Sequence, residues 1–295
     1  MEACCGAHYL GAVLDKQGHQ VRLMPAQFVK PYIKSSKNDF IDAEAIAEAV
    51  QQAGMRFVPI KTQNQLDLQS LHRMRERLMQ RRNSLINQLR AFFLERGITV
   101  WAGVASLKCQ LPELLQVAGE TFSARMAAII RQLSDEWRFT EDQIDTIETE
   151  IQRIADQDAA CQRLLTVPGI GPLSATAIVA ALGNGAAFAN ARGFATWLGL
   201  TPRQHSTGGK TKLLGISKRG NNYIRWLLIH GAQSVMTRAN RDRLRFGRWL
   251  SGLQAKAHRN VVGVALAAKL ARIAWAVLTS GEPYKTQAVE LTAMA

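Results

Sequence analysis

The stretch "LLTVPGIGPLSATAIVAAL", residues 164–182, decides the architecture of the C-terminal part of this 295-residue chain. Two apolar helical segments flank Pro168-Gly169-Ile170-Gly171, which is the pattern of a helix–hairpin–helix. Gly169 and Gly171 let backbone N–H groups approach a phosphate at a helix N-terminus. A dinucleotide-binding fingerprint is excluded, because a third glycine at the right spacing and a preceding strand are both missing. Two interpretations stay open: a phosphate-binding hairpin, or a tight turn between two packed helices.

The positive charge of the chain is concentrated in this same C-terminal part of the sequence. The net charge is +14 and the pI is about 10.1. Residues 159–295 carry 18 Lys and Arg against 3 Asp and Glu, a net charge of +15, whereas residues 1–62 carry +1 and residues 63–158 carry −2. This asymmetry favours phosphate binding and predicts a C-terminal nucleic-acid-binding module that contacts the backbone.

Cysteine usage and hydropathy exclude several other classes of protein. The four cysteines are Cys4, Cys5, Cys109 and Cys161. They form no CxxC pair and have no neighbouring His cluster, so we expect neither a zinc site nor a disulfide framework. The longest apolar stretch, residues 261–278, is interrupted by Lys269 and Arg272 at helical spacing, which predicts an amphipathic core helix. With no signal peptide in the sequence, we expect a cytoplasmic protein without a membrane partner.

The first region, residues 1–62, predicts part of an α/β domain. Residues 8–19 and 39–53 are predicted as helices, and "QVRLM", residues 20–24, as a strand. One strand cannot form a sheet that covers helices. We therefore expect residues 1–62 to be the C-terminal half of an α/β domain whose first strands are absent.

The second region, residues 63–158, predicts long helices with coiled-coil seams. From Leu71 and again from Met126, apolar residues recur every three or four positions. "TEDQ" at 140–143 resembles a capping box, but the heptad phase continues through Thr140 and favours one unbroken helix. The region is either a spacer or a dimerisation arm.

The third region, residues 159–295, is predicted to be a helical domain.

Two kinds of side chain are candidates for chemistry. Asp39 and Asp42 stand three residues apart at the start of a predicted helix, where Asp39 is an N-cap candidate and where both carboxylates share a face that suits a divalent cation. Ser206 stands with Thr207 in a polar, glycine-rich loop. The basic residues around this loop and the following helix are Arg203, Lys210, Lys212, Lys218, Arg219 and Arg225. The loop suits a phosphoryl-transfer nucleophile, but it is also typical of a solvated DNA-contact loop.

Several motifs in a fixed order resemble one family. They are "MEACCG" (1–6), "KNDFIDAEAIAEAV" (37–50), "VPGIGPLSATAIVAALG" (167–183), "FATWLGLTPRQHSTGG" (194–209) and "GISKRGNNYIRWLL" (215–228). Together they resemble the DEDD-type insertion-sequence transposases of the "one-ten" family, which are related to the Piv and MooV DNA invertases. The resemblance covers essentially the whole chain. It implies an N-terminal RuvC-like domain with the RNase H fold, a coiled coil and a C-terminal transposase domain.

The resemblance also implies site residues, a cofactor and partners. Glu2 matches the second of four magnesium-binding acidic positions, and Asp39 and Asp42 match the third and fourth. The first acidic position has no counterpart in this chain. Ser206 matches the nucleophile that attacks DNA, although the usual Ser-Gly pair is here Ser206-Thr207-Gly208. Counting back from "GISKRG" favours Ser206 over Thr207. The family further implies a structured guide RNA. The predicted coiled coil favours, in addition, a homo-oligomer (dimer or tetramer).

Two functions of different classes follow from the sequence. The first is a transposase or recombinase that cuts and rejoins DNA by transesterification. The second is a truncated, catalytically inactive protein that binds nucleic acid through the helix–hairpin–helix.

Overall fold

The computed structural model describes residues 1–34 and 38–285. These residues form twelve α-helices and a single two-stranded sheet, so the predominantly helical fold predicted from the sequence is confirmed. Buried apolar side chains form three separate clusters that follow the three predicted regions: a small one at Met24–Ala49, one within 85–137, and a large one from Ala155 to Leu278.

The N-terminal region is built around a short central strand segment. Glu2 pairs in parallel with Met24, and Leu23 pairs antiparallel with Val58. Helix α1 (Ala7–Lys16) lies between the two parallel segments, as in a βαβ unit. Leu23 and Met24 are completely buried. The strand predicted at residues 20–24 therefore pairs on both sides, but only through its last two residues.

Two more α-helices complete this region. They are α2 (Ala26–Val29) and α3 (Asp39–Ala49), and a 3-10 helix, Lys30–Tyr32, follows α2. The N-cap of α3 is Asn38, whose side-chain oxygen accepts a hydrogen bond from the Ile41 backbone N–H at 2.9 Å. The prediction that Asp39 caps the helix is wrong, because Asp39 is already the first helical residue. Lys37, which opens the motif quoted above, lies outside the described residues.

The middle region consists of three helices, α4 (Gln63–Leu94), α5 (Val104–Thr121) and α6 (Ala124–Gln157). Helix α4 begins with a capping box formed by Thr62 and Gln65. Helix α6 continues unbroken through Thr140, as the heptad phase predicts. The Thr140 hydroxyl donates to the Glu136 carbonyl one turn back instead of capping a new helix.

Helices α4 and α6 form an antiparallel pair within the chain. Ion pairs join Arg75 to Glu148 and Arg82 to Glu141, so residue numbers rise along one helix and fall along the other. The apolar seams face each other: the core cluster of this region includes Leu85 and Leu89 of α4 and Ile130 and Trp137 of α6. These seam residues therefore pack against each other within one chain, and the role of the region as a dimerisation arm stays a prediction.

The C-terminal domain is a helical bundle. Its helices are α7 (Ala159–Leu165), α8 (Pro172–Leu182), α9 (Ala191–Trp197), α10 (Asn222–Arg238), α11 (Gly247–Gln254) and α12 (Arg259–Ser280), with a 3-10 helix at Arg241–Arg243. Helix α12 is long and apolar enough, at 22 residues and a mean hydropathy of 1.9, to cross a membrane by length and composition. Leu266, Leu270 and Ala274 are nevertheless completely buried in the bundle, so core packing accounts for its apolar character.

The sheet is a β-hairpin of β1 (Pro202–Thr207) and β2 (Lys210–Ile216), inserted between α9 and α10. All its residues except Ile216 are exposed. A two-stranded hairpin without a buried face is marginally stable on its own. Its anchoring to the bundle therefore determines where its side chains lie.

Candidate functional site

The glycine-rich segment around Ser206 is a regular hairpin rather than the predicted loop. Thr207 pairs with Lys210, and Gly208 and Gly209 form the two-residue connection with φ of 53° and 75°. Positive φ at both central residues is the requirement of a type I′ turn, whose twist matches that of the two strands. The two glycines that suggested a loop are the residues that make a tight turn possible.

The pleat of the hairpin separates Ser206 from the basic side chains. Ser206 is paired with Thr211, and because side chains alternate along a strand, it shares a face with Gln204. His205 pairs with Lys212 on the opposite face, together with Lys210. Lys210 and Lys212, which surround Ser206 in the sequence, therefore lie on the face of the hairpin opposite to its hydroxyl. The same alternation directs His205 away from Ser206, so the neighbouring imidazole is not its general base.

Gln204 contacts the Ser206 hydroxyl. Its Nε2 donates to Ser206 Oγ at 2.7 Å. With this bond accepted by the oxygen, the hydroxyl proton of Ser206 is left free to be donated. Gln204 was not predicted from the sequence, although a residue two positions before Ser206 on a strand lies on the same face.

The two ends of the hairpin are held together by Arg225. Its guanidinium is buried, 7% exposed, and its Nη1 donates to the Leu198 carbonyl at 2.7 Å and the Arg219 carbonyl at 3.1 Å. Desolvation on burial lowers the pKa of Arg225. Because the guanidinium is buried and its Nη1 donates to two carbonyls inside the protein, the structure does not support the prediction that Arg225 contacts nucleic acid. Gly220 is required at the same junction, since a Cβ there would lie 1.7 Å from the Trp197 carbonyl oxygen.

The other basic residues predicted to contact nucleic acid are exposed, unlike Arg225. They are Arg203, Lys210, Lys212, Lys218 and Arg219. Lys218 has a φ of 56°, in the left-handed region that side chains other than glycine rarely occupy. Its backbone N–H donates to the Gly199 carbonyl at 3.1 Å, which holds it there. Local backbone strain of this kind is concentrated at functional sites, and here it marks the junction between the hairpin and α10.

The two glycines of the predicted helix–hairpin–helix have different surroundings. Helices α7 and α8 flank the turn as predicted. Gly169 has a φ of 86°, and a Cβ there would lie 2.7 Å from Val235 Cγ2 and 2.8 Å from the Gly231 carbonyl oxygen. Its function is to let the turn pack closely against α10. Gly171, at the N-cap of α8, is exposed, and a Cβ there would meet nothing within 4 Å. Of the two, only Gly171 offers open space for a phosphate.

The acidic residues are not gathered into one site. Glu2 lies on the strand segment beside Met24, whereas Asp39 and Asp42 occupy the first turn of α3. Over residues 1–34 and 38–285, no three His, Cys, Asp or Glu side chains are grouped closely enough to hold a metal ion. Only the neighbouring Asp39 and Asp42 keep the predicted spacing on a helix. Neither aspartate forms a hydrogen bond or ion pair with the Ser206 hairpin through the part of the chain that is described.

A buried polar chain, missed by the sequence analysis, joins the middle region to the C-terminal domain. His72 of α4 is 4% exposed; its Nδ1 lies 3.1 Å from the Tyr223 hydroxyl and its Nε2 lies 3.0 Å from Thr176 Oγ1. Thr176 donates its proton to the Pro172 carbonyl at 2.7 Å, so Oγ1 accepts from His72 Nε2–H and Tyr223 donates to Nδ1. Burial, together with the nearby charge of Arg75, lowers the pKa of His72 to about 4. The apolar positions predicted for this helix begin at Leu71 and do not include His72, so its burial had no signal in the sequence.

Two protein-family models match separate parts of the chain. The sequence model described as "Transposase IS116/IS110/IS902 family" matches residues 161–247, and a second model described as "Transposase" matches residues 1–96. A "Probable family 20 transposase" of Pseudomonas aeruginosa is 46% identical over 97% of this chain and 85% of its own length. The transposase for insertion sequence element IS1328 of Yersinia enterocolitica is 42% identical over 95% of this chain and 83% of its own length.

A further relative, the transposase for insertion sequence element IS1111A of Coxiella burnetii, is 40% identical over 97% of this chain and 78% of its own length. These similarities extend over the hairpin, the C-terminal bundle, the antiparallel helices and the N-terminal region together. Identity at this level over nearly the whole chain is far more specific than any one motif. The chain belongs to the IS116/IS110/IS902 family of insertion-sequence transposases.

Proposed function

We propose that this transposase cuts and rejoins DNA by transesterification, with Ser206 as the nucleophile. In this step Ser206 Oγ forms a bond to a phosphodiester phosphorus, the bond from phosphorus to the leaving deoxyribose oxygen breaks, and the serine proton is lost as the leaving oxygen gains one. The observation that carries the proposal is the exposed hairpin, which presents the Ser206 hydroxyl to solvent while Gln204 donates to its oxygen at 2.7 Å.

The DNA-binding surface that we propose has two parts. The first consists of the exposed cations of the hairpin and its junction with α10: Arg203, Lys210, Lys212, Lys218 and Arg219. The second is the N-terminus of α8 at Gly171, where backbone N–H groups and the helix dipole favour an anion. Such contacts are to phosphates and carry no base information, so they position the DNA without selecting its sequence.

Magnesium is proposed as the cofactor from the chemistry of the donors. Carboxylate oxygens are the ligands that magnesium prefers, and Asp39 and Asp42 lie on one turn of α3. The described residues do not bring Glu2 to these aspartates in a three-ligand site. We therefore assign no step of the reaction to the ion. A RuvC-like fold of the N-terminal region is also part of the proposal, and the parallel pairing of Glu2 with Met24 around α1 supports it.

The remaining parts of the proposal rest on the sequence and on the family resemblance. They are a structured guide RNA, self-assembly into a dimer or tetramer, and a cytoplasmic location. The exposed cations of the hairpin suit RNA phosphates as well as DNA phosphates. Assembly would need surfaces other than the α4–α6 seams, because those are buried within the chain.

The alternative function is a nucleic-acid-binding protein without catalytic activity. One observation favours it: in the described hydrogen bonds, the only side chain that contacts Ser206 is Gln204, which is neither an acid nor a base. A serine without a general base or a metal attacks poorly. Activity therefore requires that such a group reach Ser206 on assembly with DNA.

A covalent-adduct experiment separates the two functions. The full chain is incubated with duplex DNA carrying the ends of its insertion sequence, and the products are denatured and digested for mass spectrometry. We expect a phosphoserine–DNA adduct at Ser206, its loss in Ser206→Ala with DNA binding kept, and its retention in Thr207→Val. An adduct at any other residue refutes the assignment. DNA binding without an adduct in the unmodified chain supports the alternative.

Salt dependence tests the binding surface separately. We expect the affinity for duplex DNA to fall steeply as the salt concentration rises, because phosphate contacts release counterions. The double substitution of Lys210 and Lys212 by alanine is expected to reduce the slope of log affinity against log salt by about 2. A slope unchanged by this double substitution would exclude the hairpin from the binding surface.

A further inference from the structure

Helix α10 carries an exposed aromatic pair that the packing of the protein does not use. Trp226 is 47% exposed, and His230, one turn later, is also exposed. Their ring centroids lie 4.2 Å apart with planes tilted by 56°. The buried side of the helix is formed by other residues, among them Ile224 and Leu228. The indole therefore contributes a large apolar surface to solvent rather than to the core.

The charge around this pair indicates what kind of molecule it meets. Residues 159–241 contain ten Lys and Arg but no Asp or Glu. The exposed Lys218 and Arg219 precede α10 by a few residues, and Arg225, which holds both ends of the hairpin, is the neighbour of Trp226 in the chain. An exposed aromatic surface on a segment that is rich in Lys and Arg and contains no Asp or Glu is complementary to a polyanion that carries aromatic rings.

We propose that Trp226, supported by His230, stacks on an unpaired base of a nucleic-acid strand whose phosphates are held by Lys218 and Arg219. This inference rests on the proposed function, since it concerns the same nucleic-acid surface. Bases inside a duplex are already stacked on each other, so only an unpaired base presents its face to the indole. Strand exchange and a structured RNA both supply unpaired bases, and the stacking chemistry is the same for DNA and RNA.

The test compares single-stranded and duplex ligands on the full chain. Fluorescence anisotropy measures the affinity for fluorescein-labelled DNA and RNA oligonucleotides of about a dozen nucleotides, and for a duplex of the same sequence. Trp226→Ala is compared with Trp226→Phe, which keeps a stacking ring. Trp101→Ala serves as the matched control, because Trp101 is 73% exposed and lies in the middle region, which carries no net positive charge.

We expect Trp226→Ala to weaken single-strand binding by at least about fivefold, with duplex binding changed by less than about twofold. Trp226→Phe should keep most of the affinity, and Trp101→Ala all of it. The stronger of the DNA and RNA oligonucleotides identifies which strand meets the platform. Unchanged single-strand affinity in Trp226→Ala overturns the inference and leaves the proposed function standing. If Trp226→Ala changes the oligomeric state but not the affinity for single strands, the inference is also overturned, because the Trp226–His230 pair then belongs to a protein–protein contact. An unmodified chain that binds neither ligand overturns the inference and the proposed function together.

Discussion

Acidification should weaken the connection between the middle region and the C-terminal domain through His72. Its imidazole ties α4 to Thr176 of α8 and Tyr223 of α10. In the neutral ring one nitrogen donates and the other accepts, as this chain of hydrogen bonds requires. A second proton would turn Nδ1 into a donor facing the Tyr223 hydroxyl and would place a buried charge beside Arg75.

The size and sign of the effect follow from the two pKa values of His72. The pKa is 6.5 when the chain is unfolded and about 4 in the folded protein. Between these values the unfolded state binds more protons, so the free energy of unfolding falls as the pH falls. The depression of the pKa corresponds to a total loss of about 3 kcal/mol, which begins below about pH 6.5 and is complete below about pH 4. Because His72 is 4% exposed, solvent screens this effect little.

The assay is urea unfolding of the full chain followed by circular dichroism, from about pH 7 down to about pH 4.5. His72→Gln is the control, since its amide can donate and accept but does not titrate. The unmodified chain should lose about 2 kcal/mol more than His72→Gln over this range. Other carboxylates and histidines titrate equally in both proteins, so their effects cancel. Parallel losses in the two proteins would refute the argument that His72 is neutral and buried in the fold.

Three further predictions address the anchoring of the hairpin, the packing of α10 and the proposed binding of magnesium. Arg225→Ala should lower the free energy of unfolding, measured in urea, by about 2–3 kcal/mol, because two carbonyls lose a charged donor. Lys218→Ala at the surface is the control and should change it by less than about 0.5 kcal/mol. Equal effects of the two substitutions would contradict the anchoring role of Arg225. Gly231→Ala should lower the free energy of unfolding by about 3 kcal/mol or more, since its Cβ would lie 2.0 Å from the Gly169 carbonyl oxygen. Gly252→Ala in helix α11 is the control and should be neutral or slightly stabilising, because its Cβ meets nothing within 4 Å. A stable Gly231→Ala protein would exclude the close contact between α10 and the turn at Gly169. Calorimetry with magnesium alone should show weak binding to the isolated chain; tight binding that Asp42→Asn removes would show that the carboxylates do assemble into a site.

The local sequence predicted where the helices form but not which surfaces they pack against. The apolar spacing from Met126 predicts one long helix, and α6 is unbroken through Thr140. The same spacing cannot tell whether a seam faces a second chain or the preceding helix, because both burials need identical residues. The cap of α3 was misplaced by one residue, since Asn38 and Asp39 are both good N-cap residues and only the backbone geometry distinguishes them.

By itself, the sequence determined the family, the helical character and the position of the basic surface, since these depend on the order of motifs, on periodicity and on composition. The tertiary structure decided which side chains face each other. The pleat of the hairpin separated Ser206 from Lys210 and Lys212, and the fold buried the guanidinium of Arg225 against the carbonyls at the two ends of the hairpin. These outcomes depend on contacts between residues far apart in the chain, or on a turn geometry that turns a polar segment into two strands. A residue type alone does not encode them, because the same arginine or serine suits solvent, a phosphate or a buried carbonyl equally well.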